Sequence, residues 1–161
     1  MLQSWYKDHL SDYPTWDQQA HATDYMVFAD NVGPMLSIDE TALSNGELYT
    51  IVTNTDAKGR KGTLVAMVKG TKAEDITTAI NRIPEKTRLK VKEVTMDMAA
   101  NMSKAIRSSF PKALTVIDRF HVQKLAYDAV QELRIQYRWE AIEAETQRIT
   151  EAKAKELRVE H

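Results

Sequence analysis

From Arg119 to His161 the chain contains neither glycine nor proline, whereas all five glycines and all four prolines fall before Lys112. Glycine supplies turn conformations and proline breaks helices. The sequence therefore divides into a punctuated part built of short elements and an uninterrupted part that suits a single helix. In the latter, Val122, Ala126, Ala129, Leu133 and Tyr137 recur at three- and four-residue steps, the helical period. A helix of about 35–40 residues is roughly 50–60 Å long, more than a domain of this size covers. The stripe predicts that the first half packs on the sheet, while 139–161, mostly charged, projects. Trp139 and Ile142 would then form an exposed apolar patch and bring self-association through 133–158. A helix of this length also leads us to expect a truncated chain.

The punctuated part alternates in period two. Strands are predicted at 35–39, 47–54 and 63–70, with a turn at "SNG" (44–46) and a polar loop at 55–62, together an antiparallel meander. Ile76, Ala79, Ile80 and Ile83 share one face of a helix over 72–83. Further strands are predicted at 91–97 and 114–118, with a helix at 101–110 stopped by Pro111. Residues 1–32 read as an N-terminal extension, with a short helix over 16–28 from the spacing of Trp16, Ala20, Thr23 and Val27. The order β-β-β-α-β-α-β-α predicts an α/β fold, a mixed sheet with helices on its faces. It is the order of the ribonuclease H-like fold, so 33–138 is expected to be the core.

Composition excludes several function classes. With no cysteine there is neither a disulfide nor a cysteine-ligated zinc, and a cytoplasmic location is the default. No apolar run reaches the ~20 residues of a membrane helix, and no membrane partner is expected. The net charge of -1 does not suit DNA binding by bulk charge, so any such binding must use local patches. Lys58, Arg60 and Lys61 form one basic group; Lys86, Arg88, Lys90 and Lys92 form another. Either is ordinarily a solvated loop, and its functional alternative is contact with phosphates.

The acids carry the chemistry. Asp39, Asp97 and Asp118 each follow an apolar run at a predicted strand end. Such residues often start turns or cap helices, and taken singly each is more often structural. Together at the ends of adjacent strands, two carboxylates suit hard divalent cations, with about 4–8 Å between them. Glu40 should point to the face opposite Asp39. Met96 and Met98 read as core. His121, three residues after Asp118, is ordinarily a hydrogen-bonding residue at a helix start.

The segments "LSIDE", "VTMDMAANMSKAIRSSFPKA" and "VIDRFHVQKL" together resemble the catalytic core of bacterial insertion-sequence transposases of the DDE type, in particular the ISL-three-like group in the form found in Bacteroides-type elements. The resemblance covers roughly 30–145. It implies a ribonuclease H-like fold and metal-dependent phosphodiester cleavage followed by DNA strand transfer. Asp39 matches the first catalytic Asp and Asp97 the second, and both become ligands for Mg²⁺ (or Mn²⁺), two ions in the complete enzyme. Asp118 and His121 match the supporting Asp-x-x-His signature. Weaker DNA contacts are expected from Lys58, Arg60, Lys61 and Arg119. The implied partners are DNA, as transposon ends and target, and a second copy of the chain; the implied location when acting is the nucleoid. The third catalytic acid, a Glu, matches nothing here, nor does the family's DNA-binding N-terminal domain, so the 161 residues alone are expected to be inactive. The alternatives are a ribonuclease H-like nuclease or resolvase, and a non-catalytic remnant acting as a DNA-binding or oligomerisation module.

Overall fold

The structure, a computed structural model, describes residues 2–43 and 46–159. The turn expected at 44–46 lies in part, at Ser44 and Asn45, outside the described residues. The chain forms two units, 1–118 and 119–161, and each is described by itself.

The first unit is a six-stranded mixed sheet with helices. Its elements are α1 (Leu2–His9), β1 (Tyr25–Val27), β2 (Met35–Ala42), β3 (Leu48–Asn54), β4 (Leu64–Lys69), α2 (Ala73–Ile80), α3 (Glu85–Arg88), β5 (Glu93–Met96), α4 (Ala100–Ser109) and β6 (Leu114–Ile117). The sheet order is β1-β4-β3-β2-β5-β6. β1 to β4 pair antiparallel, while β5 pairs parallel with both β2 and β6. The meander, the later strands and both longer helices of this unit lie where the periodicity puts them, and the strand predicted at 35–39 adjoins the one predicted at 91–97.

Alternation along the strands sends Leu36, Ile38, Val52, Ala66, Val94 and Met96 to one face. There they meet Ile76, Ala79, Ile80 and Ile83 from α2 and its C-terminal turn, and Met102, Ala105, Ile106 and Phe110 from α4 and its end. The opposite face, carrying Met35, Ile51 and Met67, is only half-buried to exposed. Burying each large side chain stabilises the fold by about 1.5–3 kcal/mol, so one face holds the core together.

The N-terminal segment differs from expectation. No helix forms over 16–28; two 3₁₀ turns lead instead into β1 at the sheet edge. The physical reason is local. The Gln18 amide donates to the Val27 carbonyl at 2.7 Å and accepts from the Val27 amide at 2.7 Å. A side chain thus satisfies backbone groups that a helix would have paired internally.

The second unit is α5 (Arg119–Val159), one helix of 41 residues. The stripe from Val122 to Tyr137 is not buried: every described residue from Val122 to Lys155 is exposed. At 100° per residue, Phe120, Val122, Leu125, Tyr127, Val130, Leu133 and Ile135 are distributed around the helix, so no single face is apolar enough to define a packed side.

Candidate active site

The register of the parallel strands decides how the three acids are arranged. β2 and β5 pair as Met35↔Glu93, Leu36↔Val94 and Ser37↔Thr95, an offset of 93 − 35 = 58. The same offset separates Asp39 from Asp97, since 97 − 39 = 58. β5 and β6 pair from Glu93↔Leu114 to Met96↔Ile117, an offset of 21, and 118 − 97 = 21. The second ladder continues to the acid, because the Asp118 amide donates to the Met96 carbonyl at 2.7 Å. Asp118 is thus level with Asp97, and the β2–β5 register, whose last pair is Ser37↔Thr95, would put Asp39 level with Asp97 if continued by two residues, at an interstrand spacing of about 4.8 Å. Leu36, Ile38, Val94 and Met96 face the core, so the alternation puts Asp39 and Asp97 toward the open face.

Asp39 is not at a strand terminus, as the sequence suggested. β2 continues to Ala42 and pairs Asp39 with Ile51 of β3. What ends there is β5, whose last strand residue is Met96. Asp39 thus lies where β2 runs past its parallel neighbour. It is exposed, and its Oδ1 accepts from the Glu40 amide at 2.8 Å. Asp97 is half-buried, and its Oδ1 accepts from the Ala99 amide at 2.8 Å, starting the turn into α4. This turn uses one oxygen of the carboxylate. Met98, read as core, is 47% exposed; it follows the strand end and faces no helix.

Asp118 closes the sheet unit and is half-buried. His121 lies in the first turn of α5, half-buried, with its ring edge-on to Phe120 at 5.7 Å. Arg119 is exposed at the start of the same helix. Lys58, Arg60 and Lys61 are exposed on the β3–β4 loop. That loop adjoins the beginning of β2, where the Thr55 hydroxyl donates to the Met35 carbonyl at 3.0 Å. It lies at the opposite end of the sheet from the acids.

Periodicity gave no hint of Asn101. Its amide donates to the Thr71 carbonyl at 2.7 Å and to Glu40 Oε1 at 3.4 Å. It ties the start of α4 to the end of β2 and to the β4–α2 connection, on the core side of the acids. Glu40 does point away from Asp39. No motif joins residues 61 positions apart, so this junction was not legible in the sequence. Nearby, Glu47 accepts from Lys69 Nζ at 2.7 Å and from the Tyr49 hydroxyl at 3.0 Å. The lysine, then the tyrosine, hold the Glu47 carboxyl below its ordinary range, and Glu47 raises both Lys69 and Tyr49.

Asp39 and Asp97 supply the hard oxygen donors that Mg²⁺ or Mn²⁺ takes. Among the described residues, no group of three or more His, Cys, Asp or Glu side chains is disposed to hold a metal ion. Among the described residues, no helix is long and apolar enough to cross a membrane. The model of the ISL3-type DDE transposase family, described as "Transposase", matches residues 36–160. No curated protein matches the chain.

Proposed function

The chain belongs to the ISL3-type DDE transposase family, and we propose that Asp39 and Asp97 are its catalytic pair, acting in DNA cleavage and strand transfer. The observation that carries the proposal is the offset of 58, common to the β2–β5 ladder and to the two acids. The mixed sheet and element order support a ribonuclease H-like core within 1–118, a unit that takes in β1 from the segment expected as an extension. The row of acids would lie on the face that the core leaves open.

In this reading, Asp39 and Asp97 each orient one oxygen through a backbone amide. Asp39 and Asp97 would hold a divalent cation, two ions in the active enzyme, which would supply Lewis-acid chemistry for phosphodiester cleavage. Asp118, level with Asp97, braces the pair, and His121 keeps the supporting role that the family resemblance gives it. Two carboxylates make a poor Mg²⁺ site, so the chain alone is expected to bind at millimolar concentration and to be inactive until a further carboxylate joins them. DNA is the substrate, as transposon end and target, and Lys58, Arg60, Lys61 and Arg119 offer contacts to it. The exposed apolar residues around α5 favour a homo-oligomer. The site of action is the nucleoid.

Titration with Mn²⁺ tests the assignment through paramagnetic NMR broadening. Asp39 and Asp97 should broaden first, and Asp39→Asn should remove the effect at both. Broadening centred elsewhere, with both acids untouched, would sink the assignment.

A further inference from the structure

The two basic groups are separate in the sequence, but the topology brings them to one end of the sheet. The Lys92 amide donates to the Pro34 carbonyl at 2.8 Å, and the Leu114 amide donates to the Lys92 carbonyl at 2.8 Å. The Thr55 hydroxyl bonds Met35. The β3–β4 loop and the beginnings of β2, β5 and β6 therefore lie side by side. Lys58, Arg60, Lys61, Lys90, Lys92 and Lys112 are all exposed there. None forms an ion pair among the described residues. Asp30, Asp56 and Glu93 are at the same end, and Glu85 offsets Lys86, which leaves an excess of 6 − 3 = 3 cations among the residues named.

We infer that this end is a second nucleic-acid surface, an anchoring ridge for the backbone of duplex DNA, distinct from the place where the acids stand. From β4 to β6 it crosses four interstrand spacings, about 19 Å. Phosphates along one DNA strand advance about 3.4 Å each, so the ridge spans roughly five of them. It is separated from the acids by about five residues of strand, roughly 17 Å. No single phosphate bridges that gap, so the ridge holds DNA flanking the reacting phosphate. Lys58 adds a built feature. It has φ 49, left-handed for a residue with a side chain, and is followed by Gly59 at φ 76, so the loop reverses with its cations outward. The inference concerns binding alone and does not require Asp39 and Asp97 to be catalytic.

The test is binding of a 161-residue chain to a mixed-sequence duplex, followed by fluorescence anisotropy in EDTA across a salt series. Four phosphate contacts would weaken wild-type binding about a hundredfold between about 50 and about 200 mM salt. A variant carrying Lys58→Gly, Lys90→Gln, Lys92→Gln and Lys112→Gln should lose most of that response. Lys58→Gly alone relieves the left-handed strain, so it should lower affinity without lowering Tm. Lys104→Gln, at the other end, should leave the salt response unchanged. An unaltered salt response in the quadruple variant would overturn the inference. So would an equal loss in Lys104→Gln, or binding to phosphatidylserine vesicles in preference to duplex. Retained ridge binding together with failed Mn²⁺ broadening at Asp39 and Asp97 would support the ridge and count against the catalytic assignment only.

Discussion

The two ends of the sheet treat charge in opposite ways. Where β2, β5 and β6 run out stand the three acids, and two of the lysines nearby are paired, Lys69 with Glu47 at 2.7 Å and Lys104 with Glu74 at 2.8 Å, while Lys72 and Arg119 are exposed without an ion pair among the described residues. Where the same strands begin, cations predominate and the exposed ones have no acid partner among the described residues. A net charge of -1 averages these away. The lesson is that net charge bears on nucleic-acid binding only after the topology has sorted the residues. Parallel strands β2, β5 and β6 all run one way, so whatever precedes each strand accumulates at one end and whatever follows it at the other.

The comparison breaks most severely if the acid end does no chemistry. In a strand-transfer assay of the transposase, Asp39→Asn or Asp97→Asn should reduce the rate by at least about a hundredfold, about 2.7 kcal/mol of lost transition-state stabilisation. Anisotropy in EDTA should be unaffected. A rate that survives either substitution would leave the register coincidence without a function.

A second variant affects both ends together. Phe110 is 1% exposed in the shared core, and Phe110→Ala should cost about 3–5 kcal/mol, read by chemical denaturation. If DNA binding at the ridge persisted while the sheet unfolded, the ridge would not depend on the topology that assembles it. A smaller effect sharpens the contrast at the acid end. Asn101→Ala removes the bond to the Thr71 carbonyl and should cost about 1 kcal/mol. It should weaken Mn²⁺ broadening at Asp97 while leaving the salt dependence of DNA binding intact; equal loss of both would make Asn101 a general stabiliser.

The sequence made the strands and the core-facing helices legible because alternation and the 3.6-residue period are local. Leu36 and Ile38, or Ile76 and Ile80, report their faces within a few residues. The interval of 58 was visible too, but its meaning was not, because register depends on how α2, α3 and their connections fit between β4 and β5. The family resemblance of "SIDE", "TMDM" and "DRFH" singled out Asp39, Asp97 and Asp118, whose intervals of 58 and 21 equal the offsets of the two ladders. Residues 16–28 were misread for a related reason. Trp16, Ala20, Thr23 and Val27 carry a helical spacing, but Gln18 and the β4 edge compete for the same backbone groups, and tertiary pairing wins. In α5 the stripe picked from the sequence was one of several, since apolar residues occur all around the helix.

The smallest effect tests whether the cations at the acid end are truly paired. Glu47 is fully exposed, and Lys69, then Tyr49, lower its carboxyl by hydrogen bonding. A lowered folded value means that the contribution to stability is present above the ordinary carboxylate range and is lost as pH falls through the lowered value. Lys69 is raised by the same bond, so its contribution is complete below the ordinary lysine range and is lost as pH rises through the raised value. Between those limits both partners are charged. Exposure and salt screening keep the energy small, so the readout is the titration itself. By carboxyl NMR, Glu47 should titrate below the ordinary glutamate range in the wild type and move back toward it in Lys69→Met, with Tyr49 still supplying part of the shift. Lys69→Met should leave DNA affinity unchanged, whereas Lys92→Gln, without a partner to replace, should lower it. If Glu47 titrates identically with and without Lys69, the acid end holds its lysine no more firmly than the basic end holds its own, and the difference between the ends reduces to the number of charges.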